Sequence, residues 1–458
     1  MKGGSKLRSG RTRGNGIGLI GAGLLAALAL SVAGCGGSDT MSSLKRTLEN
    51  PFAKDEQKLP GERIAVITDP NTIAIDPAEV GRPVQIPSPQ ANASWSQPGG
   101  SPSNSLGHLA LSDQLRKVWS ADAGTGSSSS GRLSAVPLVA DGKVFTLDAG
   151  GRVSAFSSAS GAKLWTASVT PENEKSREGF GGGLAMDGGH LYAATGYGTV
   201  VSLDPNNGAI VWTKRVGKPI RSSPTAAVGK IYFVSTDNIL YALGEADGQQ
   251  LWTARGLPQP ATLLSNVSPA VSGSIVVAPF PAGDVAAYEI GSGKAAWSDS
   301  LTRSSDTTAA GILGDPARPV IDKGMVFAVS HGGKMIAASE STGERLWTRN
   351  LGSTQMPWIA GDTVYVVDLG GKLIALSRAD GKIRWTSELP SSGRWNGPVL
   401  AGGRVWLVSG DGLLVGADAR TGQIASQVDL DTRVFVSPVV ADGRMYILAD
   451  NAELIALN

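Results

Sequence analysis

The 458-residue chain carries 41 Lys+Arg against 39 Asp+Glu, a formal net charge of +2, and 41% of its residues are hydrophobic. Charge this balanced is no nucleic-acid signature, and a single cysteine with three histidines rules out a disulfide framework or a Cys/His zinc cluster. The length is enough for a large buried core.

The first element is a leader. Lys2, Lys6, Arg8, Arg11 and Arg13 precede an apolar run over 17–33, and small residues lead to Gly34-Cys35. That order and length are those of a secretory signal, and the run is marginal for a membrane span. Val32-Ala33-Gly34-Cys35 resembles the lipobox of bacterial lipoproteins. The resemblance implies a signal peptide over 1–34 and acylation of Cys35 as the mature N-terminus. Gly36, in place of the aspartate that favours inner-membrane retention, implies the periplasmic face of the outer membrane. Several acyl chains on Cys35 would make a firm tether, where one holds weakly. Gly16-Ile17-Gly18-Leu19-Ile20-Gly21 satisfies G-x-G-x-x-G, but no strand precedes it and no βαβ unit surrounds it, so it carries no dinucleotide.

Residues 35–110 hold nine of the 25 prolines, many polar residues and little periodicity, a composition that favours tether and Pro-rich linker over packed domain. Such a stretch can lie along the following domain or join a partner.

From there a fixed phrase governs the chain: a turn glycine, three residues, a tryptophan. It runs from Gly161 to Trp165, Gly208 to Trp212, Gly248 to Trp252, Gly293 to Trp297, Gly343 to Trp347 and Gly381 to Trp385, then from Gly422 with Ser426 in the tryptophan's place. Trp119, which lacks the glycine, starts the series. The intervals range from 38 to 50 residues and average about 44, the repeat length of four-stranded propeller blades. Within one repeat, apolar runs at 136–140, 144–147 and 153–156 are separated by Asp141-Gly142 and Gly150-Gly151, turn signals suited to antiparallel hairpins. The tryptophans are expected to cover the face packed on the next blade.

After Ser426 three more strands follow and the chain stops, while Lys117-Val118-Trp119 supplies a fourth. The expected fold over 111–458 is therefore all-β, an eight-bladed β-propeller whose last blade is closed by an N-terminal strand.

The phrase Gly371-Lys372-Leu373-Ile374-Ala375-Leu376 followed by Asp380-Gly381-Lys382-Ile383-Arg384-Trp385 resembles the tryptophan-docking repeat of quinoprotein dehydrogenases and their non-enzymatic relatives, over 115–458. The enzymes place a quinone cofactor and calcium under a vicinal cysteine pair, and this chain has no cysteine beyond Cys35. Asp148, Asp204, Asp368 and Asp418 recur near strand ends, where turn and cap roles explain them better than a metal. Neither a catalytic residue nor a cofactor or metal site is assigned.

Lipobox, proline-rich stretch and bare blades together resemble the BamB family of outer-membrane assembly lipoproteins. The resemblance implies a non-catalytic scaffold that binds the POTRA domains of BamA, joins other subunits of the assembly machine and assists insertion of unfolded outer-membrane proteins. In that family the BamA contacts lie on the two loops flanking the fourth blade. Carried onto this sequence, they fall at Leu263 and Leu264 on the first loop and Asp315 on the second, with Leu264 where the family has an arginine, which favours apolar contact over an ion pair. The alternatives are a periplasmic quinone-dependent oxidoreductase, against which the missing cysteine pair argues, and a peptide- or sugar-binding propeller. For the latter, Trp358 and Trp395 are the pair expected to line one end of the channel.

Overall fold

In the computed structural model the described residues are 73–458, apart from 130, 177, 257–266, 282, 302–315 and 392. Among them, eight four-stranded antiparallel sheets are laid out as the blades of a propeller. Blades one to seven span 138–168, 182–215, 225–255, 270–300, 320–349, 358–388 and 395–429. Blade eight joins three C-terminal strands over 439–457 to the strand Lys117–Asp122, which pairs antiparallel with Glu453–Leu457.

The fixed spacing has a local cause. Each turn glycine sits at positive φ, from 67° to 75°, a region glycine enters without steric cost. Just beyond it the register between the third and fourth strands shifts at every blade, so that the residue before the tryptophan is bulged out of the ladder. A bulge re-aims the side chain that follows it. The bulged residues Val118, Leu164, Val211, Leu251 and Leu346 are about half exposed, at 44–51%, while the tryptophan turns toward the neighbouring blade.

There it meets the next blade's turn glycine. A Cβ placed on Gly161, Gly208, Gly248, Gly293, Gly343, Gly381 or Gly422 would come within 2.7 Å of the ring of Trp119, Trp165, Trp212, Trp252, Trp347 or Trp385, or of Trp297 at its Cγ, respectively paired in chain order. In six of these seven pairs, all but that of Trp385, the indole Nε1 then donates to the carbonyl three residues before that glycine. Trp119 reaches Ser158, Trp165 Pro205, Trp212 Glu245, Trp252 Ile290, Trp297 Glu340 and Trp347 Arg378, at 2.8–3.1 Å. Behind every such tryptophan but Trp297, which has Val277, the same sheet presents an aromatic from its second strand across a small third-strand residue, as in Tyr365–Ala375–Trp385, with ring centroids 5.9 Å apart.

Ser426 breaks this pattern for a reason the ring makes plain. The blade after it is the eighth, whose third and fourth strands are the two ends of the propeller chain and share no hairpin. Arg116 and Asn458 meet there through paired backbone hydrogen bonds of 2.9 Å, with no turn glycine for an indole to cover. Blade seven instead carries its indole on the second strand, where Trp406 faces Gly416 and Ser426. Trp119, the tryptophan without its own glycine, docks on Gly161 of blade one and so carries the contact across the closure.

Residues 73–110, expected as part of an extended linker, are mostly extended, with one 3-10 turn at Pro77–Glu79, and are bound to the propeller at many points. Asp76 bonds the outer strand of blade six through Ile383 and pairs with Arg349 at 2.8 Å. From about 90 to 110 the chain makes a full circuit of the channel mouth that lies on the side of the glycine turns. Asn92 bonds Val440 and Asp442 of blade eight, Trp95 bonds Val139 of blade one, and Ser96 accepts from Met186 of blade two. The Gln97 amide bridges Met186 and Ala226 of blades two and three. Pro102 accepts from Val271 of blade four and Ser103 from Ile321 of blade five. Gly107 accepts from the Trp358 indole of blade six, and Leu109 bonds Leu400 and Gly402 of blade seven. Gln90 then pairs alongside Leu109, closing the loop.

This plug saturates the channel-facing edge groups of the innermost strands, which have no further sheet partner. Its Pro, Gly and Ser content serves tight turns: a Cβ at Gly99 would lie 2.1 Å from Asn104, and Gly100 sits at φ 94° under Trp95. Composition alone reads the same for such a loop and for a solvated linker.

Trp347 is buried and has both its glycine and its carbonyl partner. Replacing it with Ala is expected to cost ~3–5 kcal/mol in urea unfolding, whereas Ser426→Trp, with no glycine to dock on, is expected to give no gain in the same measurement.

Candidate functional site

With one mouth plugged, the described residues leave the channel open at the side where the chain passes from each outer strand to the next blade's inner strand. A cavity of about 620 Å³ occupies that end. Its wall alternates by blade. Arg132, Arg221, Arg318 and Arg394 stand just before the first strands of blades one, three, five and seven, and Phe180, Val267, Met356 and Phe435 stand before those of two, four, six and eight. No Asp or Glu is among the described residues that line it. The guanidinium of Arg221 lies over the Phe180 ring at 4.1 Å. Burial lowers the pKa of Arg221 from its ordinary value, and pushes that of Arg318 down to about 10, which leaves Arg318 charged at neutral pH.

The residues singled out from sequence fall elsewhere. Cys35, Leu263, Leu264 and Asp315 lie outside the described residues. Trp358 and Trp395 do not line this cavity together. Trp358 is buried under the plug, stacked on Trp95 at 6.0 Å, and the Trp395 indole donates to Ser391 within its own loop. An apolar ring at the start of a first strand is drawn inward by the plug, which sequence reading treated as linker.

The aspartates cap turns. Asp148 accepts from the backbone of Thr125, Gly150 and Arg152, Asp204 from Asn206, Asp368 from Gly370 and Lys372, and Asp418 from Arg420 and Thr421. Among the described residues no group of three His, Cys, Asp or Glu side chains is placed to hold a metal ion. His108 clips the plug to blade seven: its Nε2 accepts from the Gly403 amide at 2.8 Å, so Nδ1 carries the proton toward the Pro87 carbonyl, and burial lowers its pKa.

The arginine ring was missed from sequence because its members stand at unequal distances from their strands. Once blades are counted, one arginine before every second blade is a legible signal.

The comparisons with known proteins bear on this fold. The family model for the outer membrane protein assembly factor BamB matches residues 103–179, 149–387 and 384–458, more than half of the chain.

The chain belongs to the BamB family.

A BamB from Escherichia coli (strain K12) is 27% identical over 328 residues, covering 70% of this chain and 83% of the relative. One from Nitrosomonas eutropha is 24% identical over 220 residues, 48% of this chain and 52% of the relative, so the match spans about half of that protein's length. The solved BamB of Moraxella catarrhalis superposes with a TM-score of 0.65 at 17% identity, covering 75% of this chain and all of that one. A quinohemoprotein alcohol dehydrogenase from Comamonas testosteroni has the same TM-score at 14% identity over 80% of each chain, a likeness of fold alone.

Away from the channel, between blades two and three, the carboxyl of Glu245 is pushed up to about 8, first by burial and then by the neighbouring charge of Asp187. Its backbone carbonyl receives the Trp212 indole, so this group belongs to a blade-to-blade contact. A carboxyl raised in the folded state makes stability complete below its unfolded value near 4.5 and erodes it as pH climbs toward 8. Thermal melts of the wild type are expected to fall over that window, and Glu245→Gln is expected to flatten the fall; parallel curves for the two proteins would contradict this origin.

Proposed function

We propose that this BamB-family protein is a non-catalytic scaffold lipoprotein of the outer-membrane β-barrel assembly machine, anchored through Cys35 on the periplasmic face. The family match across 103–458 carries the reading. Its proposed role is to bind the POTRA domains of BamA and to assist insertion of outer-membrane proteins.

Two features of the described residues support a scaffold. The outermost strand of each blade is paired on one side only within its sheet. These strands present alternating exposed positions and half-exposed bulged side chains such as Leu164, Val211 and Leu251, an edge on which an extended client segment can add by backbone pairing. The second feature is that two groups shifted by burial, Glu245 and His108, are engaged in blade and plug contacts. The proposed BamA contacts are Leu263, Leu264 and Asp315, on the connections that follow blade three after Arg255 and blade four after Ser300.

Affinity purification of the full chain from detergent-solubilised outer membrane is expected to recover BamA, and a photo-crosslinker at position 264 is expected to label it. A well-folded protein that recovers no BamA would overturn the scaffold reading. Recovery without crosslinking from 264 would overturn only the assignment of the loop. Cys35→Ala is expected to move the chain from the membrane fraction to the soluble periplasm, read by fractionation; unchanged membrane recovery would count against the anchor.

A further inference from the structure

We propose that the open mouth of the channel is a binding site for a small multivalent oxyanion, a carboxylate or phosphate compound, built on a flat apolar body. Four guanidinium groups face one cavity of about 620 Å³, within the size range of small-molecule sites (roughly 300–1,000 Å³). Among the described residues Arg132, Arg221 and Arg394 form no ion pair, while arginines outside the cavity do: Arg152 with Asp148, Arg345 with Asp299, Arg378 with Asp322 and Arg384 with Glu79. The cavity therefore gathers positive charge with no carboxylate among its described lining residues. Low-dielectric walls focus such a field on whatever enters.

One of the donors is also held in place. Arg221 is flattened on Phe180, and its buried Nη1 has no hydrogen-bond partner among the described residues. A desolvated donor without an acceptor is unfavourable until one arrives. Guanidinium is suited to this task because its planar fork matches carboxylate and phosphate oxygens two at a time. Between the arginines stand Phe180 and Phe435, which offer apolar faces to the body of the ligand. The plug gives the site a floor: Trp95, Gln97, Asn104 and Leu109 are all buried across the far mouth, so a polymer cannot thread through and the occupant is a molecule that fits the blind end.

The test uses the full chain in non-ionic detergent at low ionic strength, titrated calorimetrically with benzene-1,3,5-tricarboxylate. Saturable one-to-one binding is expected, weakened at least tenfold by Arg221→Gln and again by Arg394→Gln, and unchanged by Arg420→Gln on the exposed surface. Benzoate, with one charge, and pyrophosphate, with charge and no apolar body, are expected to bind at least tenfold more weakly. Absence of saturable binding, or binding indifferent to both cavity variants while their melting temperatures match the wild type, would overturn the site. Benzoate binding as tightly as the tricarboxylate would overturn the requirement for several charges, and pyrophosphate doing so would overturn the apolar body.

Discussion

An indole laid on the glycine of the next blade is the contact on which the rest of this molecule depends. A single four-stranded sheet cannot bury both of its faces, so blades are stable only in contact with one another. Here the contact is made by parts fixed to each other in sequence: a glycine at positive φ, a bulge, and a tryptophan turned outward by it. Because each tryptophan covers the following blade's glycine, the contact has a direction around the ring. That direction must close, and it does so where Trp119 reaches Gly161.

Ring and repeat were legible before any coordinates, since the glycine-to-tryptophan offset is a local pattern and the count of intervals gives the number of blades. The exceptional positions were legible only as exceptions. Ser426 is explained by geometry between ends of the chain that are far apart in sequence, Arg116 and Asn458. Trp406 looked scattered and is instead the second-strand aromatic of blade seven, opposite Gly416. The plug was hidden for a stronger reason: hydrogen bonds to all eight blades, made largely through the plug's own backbone, impose no side-chain periodicity, and turn-forming Pro, Gly and Ser are also what linkers contain. The arginine ring was hidden because loops of unequal length place its members at unequal offsets from the strands.

The plug divides the molecule by function. On its side the glycine turns, the indole contacts and the channel-edge amides are used up in holding the ring together. On the other side lie the cavity wall, with its alternation of arginine and apolar residues, and the ends of the connections around blade four, with Val267 contributing to that wall. The outer strands keep an unpaired edge around the rim. On the proposed scaffold reading the working surfaces lie where the described residues leave hydrogen-bonding groups and charges unspent, at the cavity end of the channel and at the rim.

Hydrogen exchange followed by mass spectrometry tests most directly whether the N-terminal segment is an integral part of the ring. The amides of Val139, Met186, Ala226, Val271 and Ile321 face the channel and donate to plug residues at 2.7–3.0 Å. They are expected to exchange as slowly as the ladder amides between the second and third strands, and peptides over 95–109 to share that protection. Rapid exchange at those five positions and over 95–109, with the blades otherwise protected, would contradict the closed mouth and with it the one-ended channel.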